Sequence, residues 1–172
     1  MTSIRLSNGI VKDDLLVVGL SAKSAKGALQ IEAGDLALDT KALLPLLSDM
    51  GATGKADEVI KIPGTTTRLI VFTGLGKSST TYSNEVLRRA AGAATRALAG
   101  NSSATISLPS KSVAAVKAIA EGAALGNYSF TAFRGSTKAA QKSPLKSITI
   151  HAELAASAEA KSEVKSAEIL AR

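Results

Sequence analysis

The sequence has no cysteine, no tryptophan and a single histidine, and only five of its 172 residues are tyrosine or phenylalanine. Without thiols there is no disulfide, no thiolate metal site and no cysteine nucleophile. His151 has neither a second histidine nor a cysteine to share a metal with, and it reads as a residue that ends a strand. A serine triad would need that same histidine, and no Gly-x-Ser-x-Gly elbow occurs. So few aromatic rings leave an aliphatic core and speak against stacking of nucleobases. No run approaches the roughly 18 apolar residues of a membrane span. The start, Met1 to Arg5, lacks the apolar stretch of a secretion signal. These absences predict a soluble, cytoplasmic protein that does not use a membrane.

What is present reads as globular. Hydrophobic residues make up 45% and charged residues 20%, and the length suits one domain with a substantial core. The net charge is +7 and unevenly placed: twelve Lys and Arg lie between Val59 and Ala152, opposed only by Glu85 and Glu121. Such an excess can attract nucleic acid. Here the basic residues are scattered over several elements, which favours a solvated surface or an acidic partner domain.

The stretch Arg68 to Lys77 organises the chain. Leu69 to Thr73 is a short, unalternating apolar run that fits a strand buried on both faces, and Gly74 and Gly76 suggest a sharp turn into a helix. Ile4 to Leu6 and Asp14 to Leu20 are earlier strand candidates, and Ser21 to Gly27 reads as a surface turn. Thr40 is placed to cap a helix over Lys41 to Met50, with Leu43, Leu46 and Leu47 on one face and Pro45 marking its start or a kink. Glu58 to Ile62 alternates as a half-exposed strand. Its short connection through Pro63-Gly64 to the Arg68 stretch predicts an antiparallel pair.

Ser83 caps the next helix, with Tyr82 and Leu87 as a staple and Leu87, Ala90, Ala91, Ala94 and Leu98 on the packing face. Ala104 to Leu108 is a strand. Ser110 or Ser112 caps a helix running to Leu125, with Val113, Val116, Ala120 and Ala123 inward and Gly126 as its stop. Tyr128 to Phe133 reads as a hydrophobic plug, Arg134 to Lys146 as a basic loop, and Ser147 to His151 as a last strand. Ser157 to Arg172 is a helix with Val164, Ala167 and Leu170 or Ala171 inward. It carries no stop signal, so the chain reads as a piece cut before a further domain. Six or seven strands interleaved with four helices predict a three-layer α/β/α domain with a mixed, mostly parallel sheet.

The motifs that could carry chemistry fall short. A phosphate-binding loop of the form Gly-x-x-x-x-Gly-Lys-Ser needs a glycine where Val71 stands, although Gly76-Lys77-Ser78 fits its end. A dinucleotide fingerprint needs glycine in place of Ser79. What survives is a weak anion site at a helix start, with Gly74, Gly76, Lys77 and Ser78 as its residues. Asp13-Asp14 and Asp57-Glu58 are neighbours at strand starts and point to opposite faces, so neither pair forms a metal cage. The residues show no catalytic site and no metal site.

Taken in order, RLIVFTGLGK, the helix EVLRRAAGAATRAL, then AVKAIAEGAALGNYSFTAFRG and PLKSITIH resemble the N-terminal domain of the leucyl, or cytosol, aminopeptidases. The resemblance covers most of the chain and is firmest from Val59 onward. It implies a macro-domain-like fold over residues 1–155, with residues 156–172 starting a linker helix toward a C-terminal catalytic domain. It further implies a homohexameric cytoplasmic parent that removes N-terminal residues from peptides with two divalent metals, zinc, manganese or magnesium. The family's catalytic signature, Asn-Thr-Asp-Ala-Glu-Gly-Arg, does not occur here, so no catalytic or metal-binding residue carries over. Two other readings compete. One is a macro-type domain binding ADP-ribose or a related phosphate through Asp14 and Gly74 to Gly76; the other is a basic nucleic-acid-binding module.

Overall fold

A computed structural model describes residues 2–9, 15–23, 28–128 and 142–170. Seven strands form one sheet: β1 (Ser3–Ser7), β2 (Leu15–Ala22), β3 (Leu29–Glu32), β4 (Val59–Pro63), β5 (Leu69–Lys77), β6 (Ser103–Ser107) and β7 (Ser147–His151). The helices are α1 (Thr40–Asp49), α2 (Asn84–Ala97), α3 (Val113–Gly126) and α4 (Ala158–Leu170). The strand order is β1-β7-β6-β2-β5-β4. The pairs β1–β7, β7–β6, β6–β2 and β2–β5 are parallel, and β4 runs antiparallel to β5. The sheet is mixed and mostly parallel, as the alternation of elements predicts.

Alternating side chains divide the core between the two faces of the sheet. Leu15, Val17, Val71, Ile106, Ile148 and Ile150 pack with α2, α3 and α4. Leu16, Val18, Leu20, Ile70 and Phe72 pack on the other face with Leu47 of α1. This is the three-layer arrangement. Ser83 and Ser112 cap α2 and α3 by accepting the N–H groups of Val86 and Ala115, satisfying donors the helices cannot satisfy internally. The buried Asn127 ties the end of α3 to the strand after it. Its amide donates to the Leu145 carbonyl at 2.8 Å and accepts the Leu145 N–H at 2.8 Å.

Several local expectations are corrected. Gly74 and Gly76 do not turn the chain into a helix; β5 continues through them to Lys77. Leu20 pairs with Gly74 and Ser21 with Gly76, so Leu75 is an extra residue and the strand bulges there. Gly74 is required by proximity, because a Cβ on it would meet the Lys55 carbonyl oxygen at 1.6 Å. Ser21 and Ala22 extend β2 and do not belong to a surface turn, and β3 is a strand the sequence pattern did not announce. Helix α1 is capped by Asp39, which accepts the Ala42 N–H, and it contains Pro45 well inside. Its Leu46 is exposed and not part of the packing face.

Helix α3 ends at Gly126, one residue beyond the expected Leu125, with Asn127 as its C-cap; a Cβ on Gly126 would sit 2.3 Å from the Gly92 carbonyl oxygen of α2. Of the expected aromatic plug, Tyr128 is exposed, while residues 129–133 fall outside the described residues, as do 24–27, 134–141 and 171–172. In α4, Val164 and Ala167 face inward as expected, together with Ala160. These three residues join the core formed by α2 and α3.

Candidate functional site

The topology creates a special place on β2. The first half of that strand, Leu15 to Val18, pairs with β6; its second half, Gly19 to Ala22, pairs with the antiparallel β3. Strand β3 therefore runs back toward the end of β6 and delivers the loop after it onto that end. The Ser107 hydroxyl donates to the Ala33 carbonyl at 2.6 Å. At this point the C-terminal ends of parallel strands meet the starts of helices, which is where open α/β sheets hold ligands.

A cleft of about 190 Å3 opens there, lined by Glu32 and Asp35 from β3 and its loop, Tyr82 before α2, Ser110 and Lys111 before α3, and Glu153 after β7. The Glu32 carboxylate accepts hydrogen bonds from the Tyr82 hydroxyl at 2.8 Å and the Ser21 hydroxyl at 3.0 Å, both on Oε1. Burial pushes the Tyr82 phenol above its ordinary value, and the Glu32 carboxylate acts in the same direction.

Beside the cleft, His151 ends β7, as its position in the sequence predicts. Its Nδ1 lies 3.1 Å from the Ser107 hydroxyl and 3.3 Å from Asp35 Oδ1, and its Nε2 lies 3.2 Å from the Asn8 carbonyl. Serine, histidine and aspartate meet here without forming a catalytic triad. A triad places the serine on one ring nitrogen and the carboxylate on the other. Here both are on Nδ1, Nε2 faces a backbone carbonyl, and Ser107 is buried with its proton given to Ala33. The cluster ties together the ends of β1, β6 and β7 and the loop after β3. Its members stand far apart in sequence, and nothing in their local patterns signals the meeting.

The anion-site residues picked from the sequence are not part of this cleft. The N–H of Gly74 donates to the Glu58 carbonyl, that of Gly76 to Gly54 and that of Ser78 to Ala22. The Ser78 hydroxyl donates to the Gln30 side chain. The backbone donors are thus spent on neighbouring segments, and α2 starts only at Asn84. Asp14, the acidic residue of the ADP-ribose reading, lies outside the described residues. A larger groove of about 390 Å3, between α1 and the β4–β5 connection, is mainly apolar; its one charged residue, Asp39, is the α1 cap.

The fold therefore defines a three-layer α/β domain with a small polar cleft at its strand ends and no assembled catalytic triad. The chain belongs to the cytosol aminopeptidase family: residues 7–137 match the model described as that family's N-terminal domain. A probable cytosol aminopeptidase from Streptomyces griseus is 43% identical over 147 residues, covering 78% of this chain and 28% of the relative. The chain thus spans less than a third of that relative's length. Among solved structures, the bottromycin maturation enzyme BotP superposes with a TM-score of 0.63 at 19% identity, over 92% of this chain and 30% of that one. A mutant of tomato leucine aminopeptidase gives 0.58 at 21% identity, over 99% and 36%. These two likenesses concern the fold.

Family membership implies divalent metal ions. Among the described residues no three His, Cys, Asp or Glu side chains are grouped so as to hold one. Among the described residues, therefore, the donor set for such a metal is not assembled. No helix among the described residues is long and apolar enough to cross a membrane.

Proposed function

We propose that this chain is the non-catalytic N-terminal domain of a metal-dependent aminopeptidase. Its role is to support assembly of the enzyme, or access to active sites, while peptide hydrolysis is carried by a C-terminal catalytic domain with two divalent ions. The observation that carries this reading is the match of residues 7–137 to the family's N-terminal domain. It is supported by the donor arrangement: among the described residues no three His, Cys, Asp or Glu side chains are grouped so as to hold a metal ion.

The test is hydrolysis of a leucyl chromogenic substrate by the purified chain with manganese, zinc or magnesium, beside a full-length relative. The expected result is no turnover by the chain and metal-dependent turnover by the relative. Turnover by the chain that needs metal and survives repeated purification would overturn the non-catalytic assignment. The assembly role predicts that a longer protein containing this domain forms a hexamer, and that deleting residues 1–155 lowers its oligomeric state in sedimentation.

A further inference from the structure

We infer that His151 is held as an imidazolium cation and acts as a pH-operated latch on the loop after β3. The ring and the Ser107 hydroxyl make a chain of three contacts. The Asn8 carbonyl lies 3.2 Å from Nε2, Nδ1 lies 3.1 Å from the Ser107 hydroxyl oxygen, and that oxygen lies 2.6 Å from the Ala33 carbonyl. Both ends of the chain are carbonyls, which only accept. Nε2 must therefore carry a proton, and the Ser107 proton is spent on Ala33. The Ser107 oxygen then offers Nδ1 only lone pairs, so Nδ1 must donate too. Three bonds need three protons, whereas a neutral ring and one hydroxyl supply two. The third proton makes the ring a cation.

Asp35 supplies the matching charge, with Oδ1 3.3 Å from Nδ1. His151 is buried, and a buried cation is costly without such a partner. Among the described residues Asp35 is the one charged group within ion-pair distance of the ring. Of the other charged groups on the elements around it, Arg5 of β1 donates to Thr149, and Glu32, Lys111 and Glu153 border the cleft; β6 carries none. Two of the groups that the cluster holds, the Ala33 carbonyl and the Asp35 carboxylate, belong to one loop. The Ala33 carbonyl also accepts the Leu36 N–H at 3.2 Å, closing a turn, and Gly34 and Asp35 of that turn form a wall of the cleft. Loss of the ring proton leaves two protons for three contacts. Either Ser107 swings its hydroxyl from Ala33 to Nδ1, or Nε2 meets the Asn8 carbonyl lone pair to lone pair. In both cases Asp35 loses its counter-charge. The latch is closed while the ring is charged and Asp35 ionised. It opens as pH rises and the ring loses its proton; histidine is the side chain that ordinarily does so within roughly pH 5–8.

Nitrogen-15 resonances of the ring, followed in the tag-free chain from about pH 5 to 9, test this directly, because His151 is the only histidine. Both ring nitrogens are expected to carry protons at about pH 6, and the amides of Ala33, Asp35 and Leu36 to shift with the same midpoint as the ring. Hydrogen exchange at the Leu36 amide, corrected for base catalysis, is expected to quicken about tenfold across that midpoint. His151→Gln, which cannot change charge, is expected to abolish the pH dependence of the three amides. Asp35 is partly exposed, so Asp35→Asn serves where the buried substitution prevents folding; its ring is expected to bind the proton about tenfold more weakly. A single ring proton at about pH 6 would overturn the charged state. A ring that titrates while the three amides stay still, amides that keep their pH dependence in His151→Gln, or an Asp35→Asn ring that holds its proton as tightly as before would overturn the latch.

Discussion

Gly122 of α3 lies so close to Arg88 of α2 that a Cβ on the glycine would sit 2.0 Å from the arginine carbonyl oxygen. One turn further, Gly126 approaches Gly92 in the same way. The two backbones touch here, and Arg88 bridges them again through its guanidinium, which donates to Glu121 on α3 and Glu85 on α2. Gly122→Ala and Gly126→Ala each gain about 1 kcal/mol of helix propensity. Each must also push apart two helices at a backbone contact, at a cost of typically 1–3 kcal/mol and occasionally more. The clash prevails because carbonyl groups cannot swing aside as a side chain end can. Both variants are expected to unfold at lower urea, by a net of about 1–2 kcal/mol; a gain in stability would show that the helices can separate freely.

Gly74 and Gly76 separate two reasons for a glycine. At Gly74 the obstacle is the Lys55 carbonyl at 1.6 Å; at Gly76 nothing lies within 4 Å and only its φ of +81° disfavours a side chain. Gly74→Ala is expected to cost about 3 kcal/mol by overpacking, and Gly76→Ala about 1–2 kcal/mol from backbone strain. Equal losses in chemical denaturation would contradict the close approach of the 54–55 segment.

The same substitution has opposite effects at Thr73 and Thr105. The buried Thr73 hydroxyl donates to the Ala90 carbonyl at 2.9 Å, whereas the buried Thr105 hydroxyl has no partner among the described residues. Thr73→Val is expected to lose about 1 kcal/mol, and Thr105→Val to be neutral or to gain up to about 1 kcal/mol, because it removes a buried group that pairs with nothing. Thermal unfolding of the two variants reads the difference, and a clear loss at Thr105 would reveal a partner for its hydroxyl.

Tyr82 gives a prediction at alkaline pH. Its folded pKa is raised above 10.0 by burial and then by Glu32, so the native state favours the neutral phenol. Its stabilising contribution is fully present below pH 10 and is lost as pH rises through the folded pKa, because the unfolded chain ionises first. With no tryptophan in the chain, phenolate absorbance reports this directly. In a Tyr128→Phe variant, where Tyr82 is the sole tyrosine, the native midpoint is expected above 10 and the denatured midpoint at about 10. A native midpoint at or below the denatured one would remove the effect of burial.

Much of this fold is legible in the sequence. The apolar run Leu69 to Phe72, the capping serines Ser83 and Ser112, and the spacing of Leu87, Ala90, Ala91 and Ala94 each depend on a few neighbouring residues, and all appear where expected. Strand β3 was not legible. LQIE is short and only half-buried, and it forms because β2 extends past the end of its pairing with β6 and leaves an edge free. Gly74 and Gly126 were visible but their cause was not: as local signals they suggest a turn and a helix stop, while each is required by a carbonyl brought in from 19 or 34 residues away in the chain, Lys55 to Gly74 and Gly92 to Gly126.

The sequence by itself determined the alternation of strands and helices, the aliphatic core, the lack of thiol chemistry and the resemblance to the family, because these follow from composition and short-range pattern. Tertiary structure alone decided that β5 runs straight through Gly74, that α2 and α3 touch along Gly92, Gly122 and Gly126, and that Glu32, Ser110, Lys111 and Glu153 border one cleft. Those facts depend on which distant segments the sheet order brings together, and no short-range pattern records that order.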